Sequence, residues 1–309
     1  GYFYAREEIN KIEKKLVQSH TENYSGVLKI FPALDSTLAA GYNDQAEEAM
    51  KMASIAVQRH PHSKWADDAY ILVGKTRLYT LDWGNAIQTF KYVNTKSKDL
   101  NARHQAIVHL IRTFVEHKEY NNALAAIEYL QKETLSKRNR KYFHLEKAYY
   151  HQVMNDYEGM VKSLTEIDDL LTRKDRRGRI FFIIGQAYQK LGNDVQAHDY
   201  YRKCLKTNPE YELDFYARLY MAQVTELTRT HDVLVATRTF KRLLKDAKNK
   251  EFKDRIYYEM GVFELKQKNI DGALLNLNQA VSAGNNKRID GEAYLLMGKI
   301  HYEQLKNYA

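Results

Sequence analysis

Residues 181–209 read FFIIGQAYQKLGNDVQAHDYYRKCLKTNP, and this stretch decides the fold. Apolar residues recur in it every three or four positions on both sides of Gly192-Asn193, which is the spacing of one buried face on each of two helices. The Gly-Asn pair is typical of a short turn. The stretch therefore predicts a helical hairpin with a small residue inside each helix, Gly185 on the first and Ala197 on the second.

These two small positions return along nearly the whole chain. Successive second-helix positions lie 37, 37, 37, 37, 39 and 37 residues apart, at Ala49, Ala86, Ala123, Met160, Ala197, Ala236 and Ala273. The first-helix positions are Gly74, Ile111, Ala148, Gly185, Val224, Gly261 and Gly298. The repetition resembles the tetratricopeptide pattern, whose unit is about 34 residues long. It predicts an all-α, right-handed superhelical solenoid of tetratricopeptide-like hairpins, in which each hairpin buries its apolar face against its neighbours.

The pattern also predicts the domain organisation. We expect residues 1–40 to form an N-terminal helical lead segment and residues 41–309 to form one continuous array of about six to seven units. Only 3 prolines and 14 glycines occur, and no Ser/Gly-rich linker interrupts the array. Because the pattern stops inside a hairpin at Tyr308-Ala309 without a polar cap, we expect the array to be truncated at its C-terminus.

Composition and motifs give no sign of catalysis. A net charge of +9 permits an acidic partner, an anionic membrane surface or nucleic acid, and decides among none of them. Cys204 occupies a small core position, so we expect a buried thiol rather than a reactive one. Gly74-Lys75-Thr76 resembles the end of a phosphate-binding loop, but Ala69 stands where that motif needs glycine. We predict a protein that is not an enzyme and has no cofactor and no metal.

The likeness to tetratricopeptide arrays implies a binding groove lined by the first helix of each unit, chiefly through its second, fifth, ninth and twelfth positions. Arg179, Arg218 and Arg255 would form a stripe there, and because arginine forks suit carboxylates, an acidic peptide or helix is a candidate partner. The alternative is that these are ordinary solvated helix positions. The candidate partner-binding residues are Arg112, Tyr142, Tyr149, Arg179, Phe182, Arg218, Arg255 and Tyr258.

The N-terminal third carries a more specific likeness, over residues 2–95. Its matching segments are Tyr2-Phe3-Tyr4-Ala5-Arg6-Glu7, Ser19-His20-Thr21-Glu22-Asn23-Tyr24, Leu28-Lys29-Ile30-Phe31-Pro32 and Arg59-His60-Pro61-His62-Ser63-Lys64-Trp65-Ala66-Asp67-Asp68. These segments resemble the PorW/SprE family of Bacteroidota, tetratricopeptide lipoproteins of the type IX secretion system that also support gliding motility.

The resemblance implies a periplasmic protein held at the outer membrane by an N-terminal lipid of the full-length precursor. It would be a scaffold whose partners are other subunits of the secretion machine, linking the periplasmic core or ring to the outer-membrane translocon. The lipid anchor would lie outside these 309 residues, because Cys204 is internal. The family supplies no residue-level site to carry over.

Two alternatives stay open. One is a general tetratricopeptide adaptor, including the outer-membrane assembly lipoproteins that use similar arrays. The other is a helical repeat that binds nucleic acid, which would need a polar reader at the same position of every unit. We predict no nucleic-acid partner, because the ninth positions show no such code: Lys75, Arg112, Tyr149, Gln186, Thr225, Val262 and Lys299.

Overall fold

The computed structural model describes residues 1–225 and 230–303, and the side chains of all of these except residues 230–232. Within these ranges the chain forms α-helices and no strand, so the prediction of an all-α chain is confirmed. The helices are α1 (Tyr2–Ser19), α2 (Ser36–Ala40), α3 (Asn43–Arg59), α4 (Ala66–Tyr79), α5 (Trp83–Lys96), α6 (Leu100–Glu116), α7 (Tyr120–Leu130), α8 (Lys137–Val153), α9 (Tyr157–Thr165), α10 (Arg177–Lys190), α11 (Asp194–Leu205), α12 (Tyr211–Gln223), α13 (Thr230–Lys245), α14 (Lys253–Lys266), α15 (Ile270–Ala283) and α16 (Lys287–Glu303). Short 3-10 turns lie at Asp168–Leu170, Arg173–Asp175 and Ala247–Phe252.

The chain divides into two compact units, Gly1–Thr172 (unit 1) and Arg173–Ala309 (unit 2). Helices consecutive in sequence pack as hairpins, among them α4 with α5, α6 with α7 and α8 with α9 in unit 1, and α10 with α11 and α14 with α15 in unit 2. The predicted boundary after residue 40 and the single continuous array stay predictions. Helix α1 packs against α3 and α4, and the lead segment therefore belongs to the same compact unit as the hairpins that follow it.

The hairpin turns that follow α4, α6, α8, α10 and α14 are built in the same way. The residue between the two helices has a positive φ angle, which is 63° at Lys118, 57° at Asn155 and 72° at Gly192. The next amide then bonds back five residues, as from Glu119 N to Phe114 O at 2.8 Å. This bond satisfies a carbonyl at the end of the first helix and closes a tight turn. The turn predicted at Gly192-Asn193 is confirmed, and its geometry recurs at the repeat spacing.

The small residues inside the hairpins are needed for close packing. A Cβ atom on Gly185 would lie 2.7 Å from Cε1 of Tyr201, and one on Gly261 would lie 2.9 Å from Cγ of Leu277. Both distances are too short for a real contact, so the first helix can approach the second only with glycine at these positions. In these two hairpins the glycine of the repeat thus lies where the two helices come closest together.

One connection breaks the repeat. Residues 20–35, which we call the strap, join α1 to α2 without forming a helix. Around Lys29, which is exposed, Leu28 and Ile30 are only 2% and 5% exposed. Such alternation is typical of an extended chain lying on a surface. A connection of this length without secondary structure is uncommon inside a compact unit and is frequently functional.

Candidate functional site

The first helices of three hairpins in unit 1, α4, α6 and α8, carry polar side chains, and those of α6 and α8 contact one another. Nε of Arg112 lies 2.9 Å from Oε1 of Glu116, and the hydroxyl of Tyr149 donates to the same oxygen at 3.0 Å. The guanidinium carbon of Arg112 is 4.3 Å from the centre of the Tyr149 ring. We call this surface the first-helix face; it comprises Lys75, Tyr79, Arg112, Glu116, Glu146, Tyr149 and Gln152.

The strap crosses this face and is held there through its backbone. Nε2 of Gln152 donates to the carbonyl of Leu28 at 2.8 Å, and its Oε1 accepts from the amide of Ile30 at 2.8 Å. A single side-chain amide therefore uses both its donor and its acceptor on alternate residues of an extended chain. This is a way of recognising a polypeptide that does not depend on its side chains.

The aromatic part of the strap adds specificity. The Phe31 ring lies 4.1 Å from the guanidinium carbon of Arg112 and meets the Tyr149 ring edge-on, with centroids 5.4 Å apart and an interplanar angle of 76°. Nη2 of Arg112 also donates to the carbonyl of Pro32 at 3.5 Å. Because cation–π and edge-to-face contacts strengthen away from water, these contacts favour an aromatic residue at this place in the strap.

The charges of the face are balanced internally. Burial alone would lower the pKa of Arg112, but Glu146 and Glu116 raise it above its ordinary value, so the guanidinium stays charged. Burial raises the pKa of Glu146 to about 7, against the smaller opposing effect of Arg112, whose Nη1 is 4.0 Å from Glu146. Arg112 therefore forms its ion pair with Glu116. Glu146 is the acid of this face whose protonation changes near neutral pH.

Lys75 extends the face toward α1. Its ammonium group pairs with Glu13, whose Oε1 also accepts a 2.8 Å hydrogen bond from the Tyr79 hydroxyl. Gly74 and Thr76 lie inside α4, and the Thr76 hydroxyl donates to the carbonyl of Leu72. The likeness of this stretch to a phosphate-binding loop is therefore only local, as the sequence indicated.

In unit 2, Arg255 lies in a buried cluster of polar groups. Nη2 is 2.8 Å from Glu259 and 2.7 Å from the Tyr220 hydroxyl, and Nη1 is 3.2 Å from Glu292. Burial opposes the charge of Arg255, while Glu259, Tyr220 and Glu292 together raise its pKa. The side chain is only 8% exposed. Arg255 thus joins α12, α14 and α16 within unit 2, and it does not present a free cation.

The predicted stripe of arginines does not form a free cationic surface. Arg218 makes two hydrogen bonds to Asp214, at 2.6 and 2.9 Å, and Arg179 is only 6% exposed. Arg218 and Arg255 are therefore paired with acids of unit 2, and their binding of an acidic partner stays a prediction.

The predicted aromatic residues differ in their environments. Phe182 is fully buried among core aromatic rings, so its prediction as a groove residue is wrong. Tyr142 is 40% exposed, with the ammonium group of Lys141 5.3 Å from its ring centre. Tyr258 packs beside Arg255, whose guanidinium carbon is 5.3 Å from the ring centre. Of the predicted residues in unit 1, Arg112 and Tyr149 come together and Tyr142 stays apart; whether they bind a partner stays a prediction.

Comparison with solved structures identifies the architecture. The C-terminal part of a tetratricopeptide repeat-containing protein from Cytophaga hutchinsonii is similar over 83% of this chain and 98% of its own, with 12% identity and a TM-score of 0.53. The chain has the tetratricopeptide-repeat fold. A tetratricopeptide repeat protein from Parabacteroides merdae covers 84% of this chain and 95% of its own, with 12% identity and a TM-score of 0.41. No known protein family and no curated protein matches the sequence.

Within a tetratricopeptide unit, Gln152 occupies the twelfth position of the first helix, three residues after Tyr149. Twelfth positions are among those expected to line the groove, but Gln152 is not among the predicted binding residues. Its place at the twelfth position of the repeat unit could have identified Gln152 as a binding residue. Nothing comparable pointed to Leu28 or Ile30, because the strap has no place in the repeat.

The tetratricopeptide-repeat fold is typically a non-catalytic scaffold for protein interaction. Among residues 1–225 and 230–303 no group of three or more His, Cys, Asp or Glu side chains is placed to hold a metal ion. Cys204 is buried, as predicted, and burial raises the pKa of its thiol to about 12. In the described part of the chain, none of the helices has the length and apolar character needed to cross a membrane.

Proposed function

We propose that this chain is a protein–protein interaction scaffold of a bacterial secretion apparatus. The observation that carries the interaction role is the strap: an extended polypeptide is seated on the first-helix face by two backbone hydrogen bonds from Gln152 and by the contacts of Phe31 with Arg112 and Tyr149. A surface that holds one extended segment has the chemistry to hold others.

The secretion role is supported by the resemblance of residues 2–95 to the PorW/SprE family. The resembling segments include Leu28–Pro32, the part of the strap that lies on the face, together with residues of α1 and α4. The proposal is that the array links the periplasmic core or ring of the type IX secretion system to the outer-membrane translocon, and that the same machine supports gliding. A periplasmic location with a lipid anchor in the outer membrane is part of this proposal.

The test is a capture experiment from the envelope of a Bacteroidota species. The tagged 309-residue chain is the bait, bound proteins are identified by mass spectrometry, and a large excess of untagged chain serves as competitor. We expect secretion-machine subunits that the competitor removes. Recovery of general chaperones alone, or of outer-membrane assembly proteins, would contradict the secretion role and favour the general adaptor.

A salt titration separates the nucleic-acid alternative from protein binding. Neutralising several phosphates makes the logarithm of affinity fall steeply with the logarithm of salt concentration. We expect no such binding to single-stranded or double-stranded nucleic acid at physiological salt. Tight, steeply salt-dependent binding would refute the assignment to protein partners, whatever the capture experiment recovers.

A further inference from the structure

The first-helix face of unit 1 is occupied by the chain's own strap. Residues 28–32 read LKIFP, and their contacts alternate between backbone and side chain: carbonyl and amide groups bond to Gln152, and the Phe31 ring meets Arg112 and Tyr149. Leu28 and Ile30 are buried, whereas Lys29 between them is exposed. An extended peptide bound through its backbone and alternate side chains makes contacts of this kind.

We propose that residues 28–32 are a built-in ligand of unit 1, and that the first-helix face takes an extended partner segment of the same chemistry when the strap leaves it. That chemistry is an apolar residue at the places of Leu28 and Ile30, an aromatic residue at the place of Phe31 and proline at the place of Pro32. The inference rests on the proposed function in one respect, because it takes the array to bind polypeptides.

The face is organised without help from the strap. Arg112 is fixed by Glu116, and Tyr149 is fixed by its hydrogen bond to the same carboxylate. All three are helical side chains whose partners lie within the face. Departure of the strap leaves the Arg112 and Tyr149 surfaces in position for another aromatic ring, so an incoming segment would not have to order them. The amide of Gln152 would also regain a backbone to bond.

The strap determines how tightly a partner must bind to the first-helix face in order to displace it. It is tied to α1 at one end and to α2 at the other, so its effective concentration at the face is on the order of millimolar. A free peptide of equal intrinsic affinity would therefore compete poorly with it. A partner must supply a better segment, several contacts at once, or a second site that raises its own local concentration.

The experiment uses a fluorescent peptide with the sequence of residues 26–34, GVLKIFPAL, and the full chain. Phe31→Ala in the protein weakens the binding of the strap to the first-helix face and changes no residue of the face itself. We expect the peptide to bind this variant at least about tenfold more tightly than it binds the unaltered chain. A peptide with alanine in place of its phenylalanine should lose that gain.

A second substitution tests the face itself. In the Phe31→Ala background, Gln152→Ala should weaken peptide binding by up to about tenfold, because two hydrogen bonds to the peptide backbone are lost. The same change also loosens the strap, so the loss is smaller than the two bonds alone would give. Gln131→Ala is the matched control, since Gln131 is exposed at the end of α7, and it should change nothing. Equal binding to the unaltered and Phe31→Ala chains, or binding indifferent to Gln152, overturns the inference.

A third measurement covers the case in which Phe31→Ala disturbs folding. Lys29→Cys in the otherwise unaltered chain is labelled with an environment-sensitive dye, and the buried Cys204 stays unlabelled. Millimolar peptide should displace the strap and change the dye's emission, and an unchanged signal overturns the inference. Capture of secretion subunits together with a failed peptide test would support the proposed function and overturn this inference. Peptide binding without such capture would support this inference and contradict the secretion role.

Discussion

Replacing Arg255 tests whether the arginines of unit 2 serve structure or recognition. Arg255→Met removes the cation from a buried cluster and leaves Glu259, which is 4% exposed, without its partner. Breaking one half of a buried ion pair costs about 3–5 kcal/mol, because an uncompensated charge stays in the interior. Arg218→Met is the matched control: it too removes an arginine paired with an acid four residues away, but its side chain is 39% exposed, and such pairs contribute about 0–1 kcal/mol.

The assay is amide hydrogen exchange resolved by segment, because the chain has two compact units and unit 1 provides an internal reference. At roughly 1.4 kcal/mol per tenfold change, Arg255→Met should speed exchange in α14 and α16 by about a hundredfold or more. Arg218→Met should change it by less than about fivefold. Exchange in α4 to α8 should be the same in both variants.

The double variant Arg255→Met, Glu259→Leu isolates the cause. If Arg255→Met lowers stability because the buried Glu259 carboxylate has lost its partner, removing that carboxylate should restore at least about half of the lost free energy. Apolar replacements of buried ion pairs are often close to neutral in stability. Glu292 keeps Arg288, 3.0 Å away, in either background. Equal and small effects of Arg255→Met and Arg218→Met would refute the structural role and restore Arg255 as a candidate for partner recognition.

Three further outcomes follow from single side chains. Gly185→Ala should lower stability by about 1–2 kcal/mol in thermal melts because the new Cβ meets Tyr201, whereas Gly298→Ala, which meets no atom within 4 Å, should raise it by about 0.5–1 kcal/mol; the same sign for both would contradict the packing argument. The pKa of Glu146 is raised by burial from 4.5 to about 7, so the stability it contributes is complete below about pH 4.5 and is lost as the pH rises through about 7. Unit 1 should therefore lose about 1–3 kcal/mol between about pH 5 and about pH 8, and Glu146→Gln should flatten that dependence; an unchanged slope in urea titrations would show that Glu146 is not its source. The Cys204 thiol, with its pKa raised by burial to about 12, should react with a disulfide reagent at pH 8 only after denaturant unfolds the chain, and prompt reaction of the native protein would contradict its burial.

The hairpins could be predicted from the sequence because their packing is local and periodic. A small residue on each helix, such as Gly185 or Ala197, marks where two backbones approach. The repeat spacing then predicts where the remaining hairpins lie in the sequence. The same period explains side-chain pairs that were not predicted. Arg112 and Tyr149 are 37 residues apart, as are Arg255 and Glu292, because equivalent positions of neighbouring first helices lie side by side.

The pairing of arginines with acids was visible in the sequence and was missed. Arg112 has an acid four residues later at Glu116, and Arg218 has one four residues earlier at Asp214, the spacing at which helical side chains meet. Reading each arginine alone predicts a cationic stripe. The strap could not have been predicted in the same way, since Gln152 bonds to Leu28 across 124 residues and no period relates the two.

The internal pairing of charges changes what a net charge of +9 means for recognition. On the first-helix face Arg112 is neutralised by Glu116 and Lys75 by Glu13, so the strap is held mainly through backbone hydrogen bonds and the Phe31 ring. Contacts of that kind are little screened by salt, whereas attraction between exposed charges fades beyond a Debye length of about 10 Å at 0.1 M salt. A partner that uses this face should therefore keep its affinity as salt rises. Affinity that collapses with salt would place the partner on the exposed lysines and arginines outside the face instead.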